Sequence, residues 1–310
     1  IYDSLTPFFK NEGVQNFTDD RKGGLFAIKI EEKIKKENLD NVMILFGGRG
    51  AGKSTFIKRL LFHLRPQEIE RHANVSVIDL IGSSQIADIL SGEIWGGVRR
   101  SIDKDHLLEK SKVDLMKLFA DRFEIYEKQV LHGFPETSEE YQKLLNTFIV
   151  DTLKDTIYCC ETVSRYWKTK GKGLVIVLDN MDQLRPELQD VCYLTSIEIA
   201  KKLKCLVIIS MREERYFNAK SKGVLDAYHV PGFHITSPVI PDVVYKRLIY
   251  TLNQVAISEE LRGEINIKNS IQKNTIISFL NICLNEVRRQ NSDLSKFLRY
   301  STHGDVRQAL

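Results

Sequence analysis

The sequence has little of what would place it in a specialised class. Proline occurs only 7 times in 310 residues, and no low-complexity tract or internal repeat is present. Neither a Pro-rich linker nor a solenoid is therefore implied. No apolar run reaches the roughly 18 residues that a membrane-spanning helix needs, and no signal peptide opens the chain. Cysteine is scarce. Cys159, Cys160, Cys192, Cys205 and Cys283 form no C-x-x-C pair and no Cys/His cluster with zinc spacing. Their number is odd, so they cannot all pair within the chain, and a reduced, cytoplasmic setting is the expectation. An excess of one charge is also missing: 45 basic against 41 acidic residues leave a net charge of +4. Composition thus does not announce a nucleic-acid binder, although a local patch stays open.

What remains is an ordinary globular balance, 43% hydrophobic and 28% charged. The length allows two domains, or one large domain with an appendage. The chain opens on Ile1 and stops inside the motif Gly304–Leu310, so more chain is expected beyond it.

Residues 1–24 read as irregular, and Leu25 to Lys36 as an amphipathic helix with Leu25, Ile28 and Ile34 near one face. Val42–Phe46 is a continuous apolar run, the mark of a strand buried on both faces. A Gly-rich turn follows, then a helix over about 53–64 that stops before Pro66. Further strands are predicted at 75–80, 174–178, 205–209 and 233–235, with a helix over about 188–203. Strands alternating with helices predict an α/β fold: a parallel sheet with helices on both faces. Residues from about 85 to 168 are helical in pattern, broken near Gly133-Phe134-Pro135, and read as an insertion. From Asp242 onward only helical pattern remains. The expected organisation is a leading segment over 1–40, an α/β core over 41–240 and an all-helical lid over 241–310.

The segment Gly47-Gly48-Arg49-Gly50-Ala51-Gly52-Lys53-Ser54, followed by Thr55, fits the full G-x-x-x-x-G-K-[ST] pattern between a strand and a helix. Glycines let backbone N–H groups converge on phosphate oxygens, and the helix adds its N-terminal dipole. Lys53 would supply a point charge to the β- and γ-phosphates, and Ser54 a hydroxyl to Mg²⁺. ATP and Mg²⁺ are the expected ligands.

The strand 174–178 runs into Asp179-Asn180-Met181-Asp182. A carboxylate at that strand end is what a second Mg²⁺ contact needs, so Asp179 is the candidate, acting through a metal-bound water. Asn180 stands where many such sites place glutamate as the base, and an amide cannot accept a proton at neutral pH. Asp182 is the nearest substitute; otherwise turnover is slow. Ser210, closing the strand 205–209, could orient the lytic water. Arg212 and Arg215 are candidates for contacting the γ-phosphate or acting as an arginine finger, or are plain surface arginines.

Taken together with the terminal Gly304-Asp305-Val306-Arg307, these motifs resemble the AAA+ and STAND branch of P-loop ATPases. The nearest kinds are origin-recognition-type initiators and bacterial STAND and KAP ATPases, several of which serve anti-phage defence. The resemblance covers about residues 25–310. It implies an ATP-dependent conformational switch, often oligomeric or bound to an effector protein, with nucleotide held between core and lid. It implies a sensor 2 role for Arg307, and winged-helix, sensor or effector domains after residue 310.

Three readings stay open: an ATP-hydrolysing machine acting on nucleic acid or a defence effector, a nucleotide-gated scaffold with little turnover, and a P-loop kinase. A kinase would not need the sensor-like arginines, and a GTPase is disfavoured because no Asn-Lys-x-Asp motif occurs. Acidic and basic residues nearly balance over 85–170, so the insertion is not a basic arm. Its Trp95, Phe119, Phe123, Tyr126, Tyr141 and Trp167 are expected to form a small core of their own, or a partner surface. The basic group Arg288, Arg289, Lys296 and Arg299 is either a solvated lid face or a contact to DNA phosphates.

Overall fold

The computed structural model describes residues 24–35, 41–222, 232–235, 239–257, 270–289 and 291–301. Five strands form one all-parallel sheet: β1 (Asn41–Gly47), β2 (Ala73–Asp79), β3 (Gly173–Asp179), β4 (Leu206–Arg212) and β5 (Gly232–Ile235), in the spatial order β2-β3-β4-β1-β5. The strands β1, β3 and β5 begin one residue before their apolar runs, and β4 continues through Arg212, because main-chain pairing extends past the side chains that announce it.

Parallel neighbours need crossover connections, and helices supply them. Between β1 and β2 lie α2 (Lys53–Lys58) and α3 (Gln67–His72). Between β2 and β3 lie α4 (Ala87–Ile102), α5 (Lys112–Leu118), α6 (Ala120–Tyr126), α7 (Glu139–Lys154) and α8 (Thr156–Thr169). Then α9 (Pro186–Leu203) joins β3 to β4, and α10 (Glu213–Lys222) follows β4. Proline at the first position of α9 gives up an N–H that has no partner there anyway.

Alternate residues of β1 feed two cores. Val42, Ile44 and Phe46 face α4, α8 and α9, while Met43 and Leu45 face α2, α3 and a helix that precedes the sheet, α1 (Gly24–Lys35). That helix buries Phe26, Ile30 and Ile34, an i, i+4, i+8 stripe, with Ala27 beside it; Ile28, expected on the inner face, is only half-buried. The Phe26 ring meets those of Phe56 and Phe233 at centroid distances of 5.7 and 5.0 Å. By packing, α1 is one wall of the sheet core.

Two expectations change. The helix after the Gly-rich turn is α-helical only to Lys58; Arg59–Leu64 winds wider, and Arg65 N–H donates to Leu60 O at 3.0 Å. Pro66 disfavours helical backbone at Arg65, which turns off with φ 36°. The helices of the insertion do not make a small core of their own. Trp95, Phe119, Tyr141 and Trp167 join the sheet core, and the buried Trp167 Nε1 donates to Ile102 O at 2.8 Å. Phe123 and Tyr126 pack against the same core from its margin. All five cysteines are free, and burial pushes the Cys160 and Cys192 thiols up to about 12, which leaves them chemically quiet.

The last described helices, α11 (Ile240–Ile257), α12 (Ser270–Arg288) and α13 (Asp293–Ser301), pack on one another as an all-helical unit.

The packing of α1 makes a direct prediction. Phe26→Ala should destabilise the chain by about 3–5 kcal/mol, whereas Lys29→Ala, on the exposed face of the same helix, should cost under about 0.5 kcal/mol. Urea unfolding midpoints check this; equal midpoints for both variants would mean that α1 is an appendage.

Candidate functional site

Because all five strands are parallel, their C-terminal ends share one edge of the sheet, and that edge carries the polar residues. Register pairs Gly47 with Arg212 across β1 and β4, and Asp79 with Asp179 across β2 and β3. The interposed β4 sets Ser210 between the glycine loop and Asp179.

The loop 48–52 turns on two left-handed glycines, Gly50 at φ 70° and Gly52 at φ 86°. Gly47 needs to be glycine for a different reason: a Cβ there would overlap the carbonyl oxygen of Ile235 on β5. Ala51 is buried and its N–H donates to Gly48 O at 3.3 Å, closing the loop. Lys53 Nζ donates to the carbonyls of Gly47 and Gly48, 3.0 Å each, which draws its charge back over the loop.

Asp179 is 2% exposed. Its Oδ1 accepts from Ser54 Oγ at 3.0 Å, Ser210 Oγ at 2.7 Å and the Asn180 N–H at 2.9 Å. Three donors on one oxygen hold the carboxylate beside the start of α2. Asn180 adopts left-handed backbone, φ 61°, and its Nδ2 donates to Asp79 Oδ1 at 2.8 Å. Asp182 Oδ2 accepts from Arg212 Nε at 2.8 Å.

These residues enclose a cleft of about 320 Å³ lined by Arg49, Gly50, Gly52, Lys53, Ser54, Thr55, Asn180, Asp182, Gln183, Ser210, Arg212 and Arg247. Four cations face a single lining carboxylate, that of Asp182, which favours a multiply charged anion. The cleft thus gathers Arg49, Gly50, Gly52, Lys53, Ser54, Thr55, Asp182, Ser210 and Arg212 of the residues singled out by sequence, while Asp179, buried, is bonded to the lining residues Ser54 and Ser210 without lining the cleft itself. Arg215 is not among them: it is tied to the Asp190 carboxylate and donates to Pro186 O at 2.9 Å, at the start of α9. Arg307 lies outside the described residues.

Asp79 and Arg247 were not picked out by sequence reading. Asp79 had a legible signal, an acidic residue ending an apolar strand. Arg247 had none, since only the fold brings α11 over the cleft.

A Mg²⁺ ion fits the donor set. Asp179 and Ser54 offer hard oxygens side by side, and Asp179 is buried with no cationic side chain bonded to it among the described residues. No cluster of three or more metal-binding side chains occurs among the described residues. Mg²⁺ bound through one carboxylate, a hydroxyl, waters and substrate phosphates needs none.

Ser210→Ala removes a hydrogen bond to a buried carboxylate and should cost about 1.5–3 kcal/mol. Chemical denaturation checks this; a loss below about 0.5 kcal/mol would mean that the hydroxyl does not hold Asp179.

No family model matches the chain, and no curated protein sequence does. Among solved structures it is similar to a chain in the structure of Drosophila ORC bound to DNA, with 16% sequence identity and a TM-score of 0.45. The match covers 99% of this chain and 60% of that one. At that identity and score the likeness assigns no residue a role.

Proposed function

We propose that this chain binds ATP with Mg²⁺ at the cleft and hydrolyses it slowly, as a nucleotide-dependent switch of the AAA+/STAND kind. The observation that carries the reading is the cluster in which Ser54, just after the Gly-rich loop, and Ser210 both donate to buried Asp179. Loop N–H groups and Lys53 would hold the β- and γ-phosphates, with Lys53 exchanging its two carbonyl contacts for phosphate oxygens. Ser54 and Asp179 would hold the metal, which when bound offsets phosphate charge.

The chain's own groups then act on water. Asp182 has one oxygen on Arg212, and the other has no partner among the described residues. That oxygen would orient a water and take its proton as the water oxygen bonds to the γ-phosphorus and the bond to the β-phosphate oxygen breaks. ADP and phosphate leave. Arg212 steadies Asp182 from the other side.

The second reading, a nucleotide-gated scaffold with little turnover, draws on Asn180 at the usual base position and on the Asp182–Arg212 pairing, which occupies the substitute base. In either reading the output is assembly, with further copies of the chain or with an effector protein. The helical unit exposes Phe279, Ile282, Phe297 and Tyr300, apolar surface that suits a protein partner. DNA is a candidate partner through the exposed Arg288, Arg289, Lys296 and Arg299, and antiviral defence or DNA transactions are the settings to which the sequence resemblance leads. No helix among the described residues is long and apolar enough to cross a membrane.

Lys53→Ala should leave the chain folded and abolish ATPase activity. Asp182→Asn should keep ATP bound and lower turnover about 100-fold. Phosphate release under single-turnover conditions, with ATP binding measured alongside, checks both. Unchanged turnover in Asp182→Asn would mean that this residue is not the base. Negligible turnover in the native chain bound to its partners would favour the scaffold.

A further inference from the structure

The edge of the sheet where the strands begin, opposite the cleft, carries a row of cations. Two of the turns that enter it are rich in lysine and hold no acid: Lys168-Thr169-Lys170-Gly171-Lys172 before β3, and Lys201-Lys202-Leu203-Lys204 before β4. Those strands are neighbours, with Val175 opposite Leu206, so the two turns lie side by side. Lys168 Nζ donates to Leu203 O at 3.2 Å and ties them together. Burial, and then the charge of Lys204, holds Lys168 below the usual lysine range. On the β2 side, Lys104 Nζ donates to Val75 O at 2.6 Å. Burial, and then the charges of Arg65 and Lys172, holds Lys104 down in the same way. The cations therefore follow the strand order β2-β3-β4 as a row. Strands of 7 residues set this row about 20 Å from the cleft.

Structural duties account for only part of the row. Two helices end at this edge, α8 at Thr169 and α9 at Leu203, and a cation near a helix C-terminus is stabilising. Lys168 serves α9 through Leu203 O, and Lys202 pairs with Glu198 at 3.6 Å. Lys170, Lys172 and Lys204 stand beyond the helix ends. With Lys201, they form no ion pair among the described residues. The acids nearby are engaged: Glu70 lies 4.0 Å from Arg65, and Asp105 accepts from Tyr166 Oη at 2.8 Å. Like charges held this close repel one another, and an anion laid along them would relieve the repulsion.

The chemistry of the row selects the anion. Lysine offers a point charge without the planar fork that reads a carboxylate or a base edge. A row of point charges fits a line of phosphates. No large apolar side chain is exposed over 165–172 or 198–204 to enter a lipid surface. We propose that Lys170, Lys172, Lys201 and Lys204 form a binding surface for the phosphate backbone of duplex nucleic acid, at the sheet edge opposite the cleft. It holds the backbone without reading its sequence. The surface goes beyond the nucleotide site and does not depend on it. It also lies on different elements from the basic group Arg288, Arg289, Lys296 and Arg299.

The test is fluorescence anisotropy of a labelled DNA duplex of arbitrary sequence, titrated with the full chain over a range of salt. The native chain is compared with Lys170→Ala/Lys172→Ala/Lys201→Ala/Lys204→Ala and with the same four positions changed Lys→Arg. Lys104 and Lys168, which hold main-chain carbonyls, stay in place, and circular dichroism checks that each variant is folded. In the alanine variant the Kd at low salt should weaken about tenfold or more, and the slope of log Kd against log salt should become shallower by about 3. The arginine variant should bind as the native chain does, and a second duplex of unrelated sequence should bind equally well. An unchanged slope in the alanine variant overturns the proposal, as does a folded arginine variant that no longer binds. Failure of the native chain to bind the duplex at low salt, or its binding of phosphatidylserine vesicles instead, overturns it too.

Discussion

The structure turns on one carboxylate oxygen. Asp179 Oδ1 takes hydrogen bonds from a helix start, a neighbouring strand and the next residue's backbone. A carboxylate so deeply buried is costly unless it is hydrogen-bonded. Satisfying it requires β1 and β3 to be parallel, β4 to lie between them, and α2 to begin where β1 ends. The sheet order, the loop and the register are thus conditions for stabilising a single charge. That charge in turn is what would make the cleft a place for a metal-bound phosphate rather than for any anion.

Around this fixed point the other contacts are exchangeable. Lys53 sits on loop carbonyls, Arg212 on Asp182, and Asn180 on Asp79. Each is a polar pair that a phosphate or a water could replace at modest cost, since partly exposed pairs contribute little on their own. Asn180 is instructive. It cannot accept a proton, but as a donor it bridges the ends of β2 and β3 through the Asp79 carboxylate.

How much of this was legible follows from where the information lies. The strands were readable because both faces of a parallel sheet are buried, which writes continuous apolar runs, as at 42–46, 174–178 and 206–209, directly into the sequence. The loop was readable because its glycines, lysine and serine stand at the fixed spacing of a phosphate-binding pattern. Tertiary placement was not. The inner face of α1 is chosen by Phe56 and Phe233, which lie far along the chain. The insertion's aromatics looked self-sufficient by composition, but the open face of the sheet was a larger apolar surface to cover. Arg212 and Arg215 differ by less than one helical turn, yet one meets Asp182 at the cleft and the other is captured by Asp190 on α9. Arg247 had no motif around it at all.

On the proposed function, Asp179 and the Gly-rich loop together hold a metal–nucleotide complex. The direct measurement is calorimetric titration of the chain and of Asp179→Asn with ATP, each in Mg²⁺ and in EDTA. The native chain should bind ATP more tightly with Mg²⁺, and Asp179→Asn should bind it without responding to the metal. Absence of ATP binding by the native chain, or the same affinity with and without Mg²⁺, would contradict it.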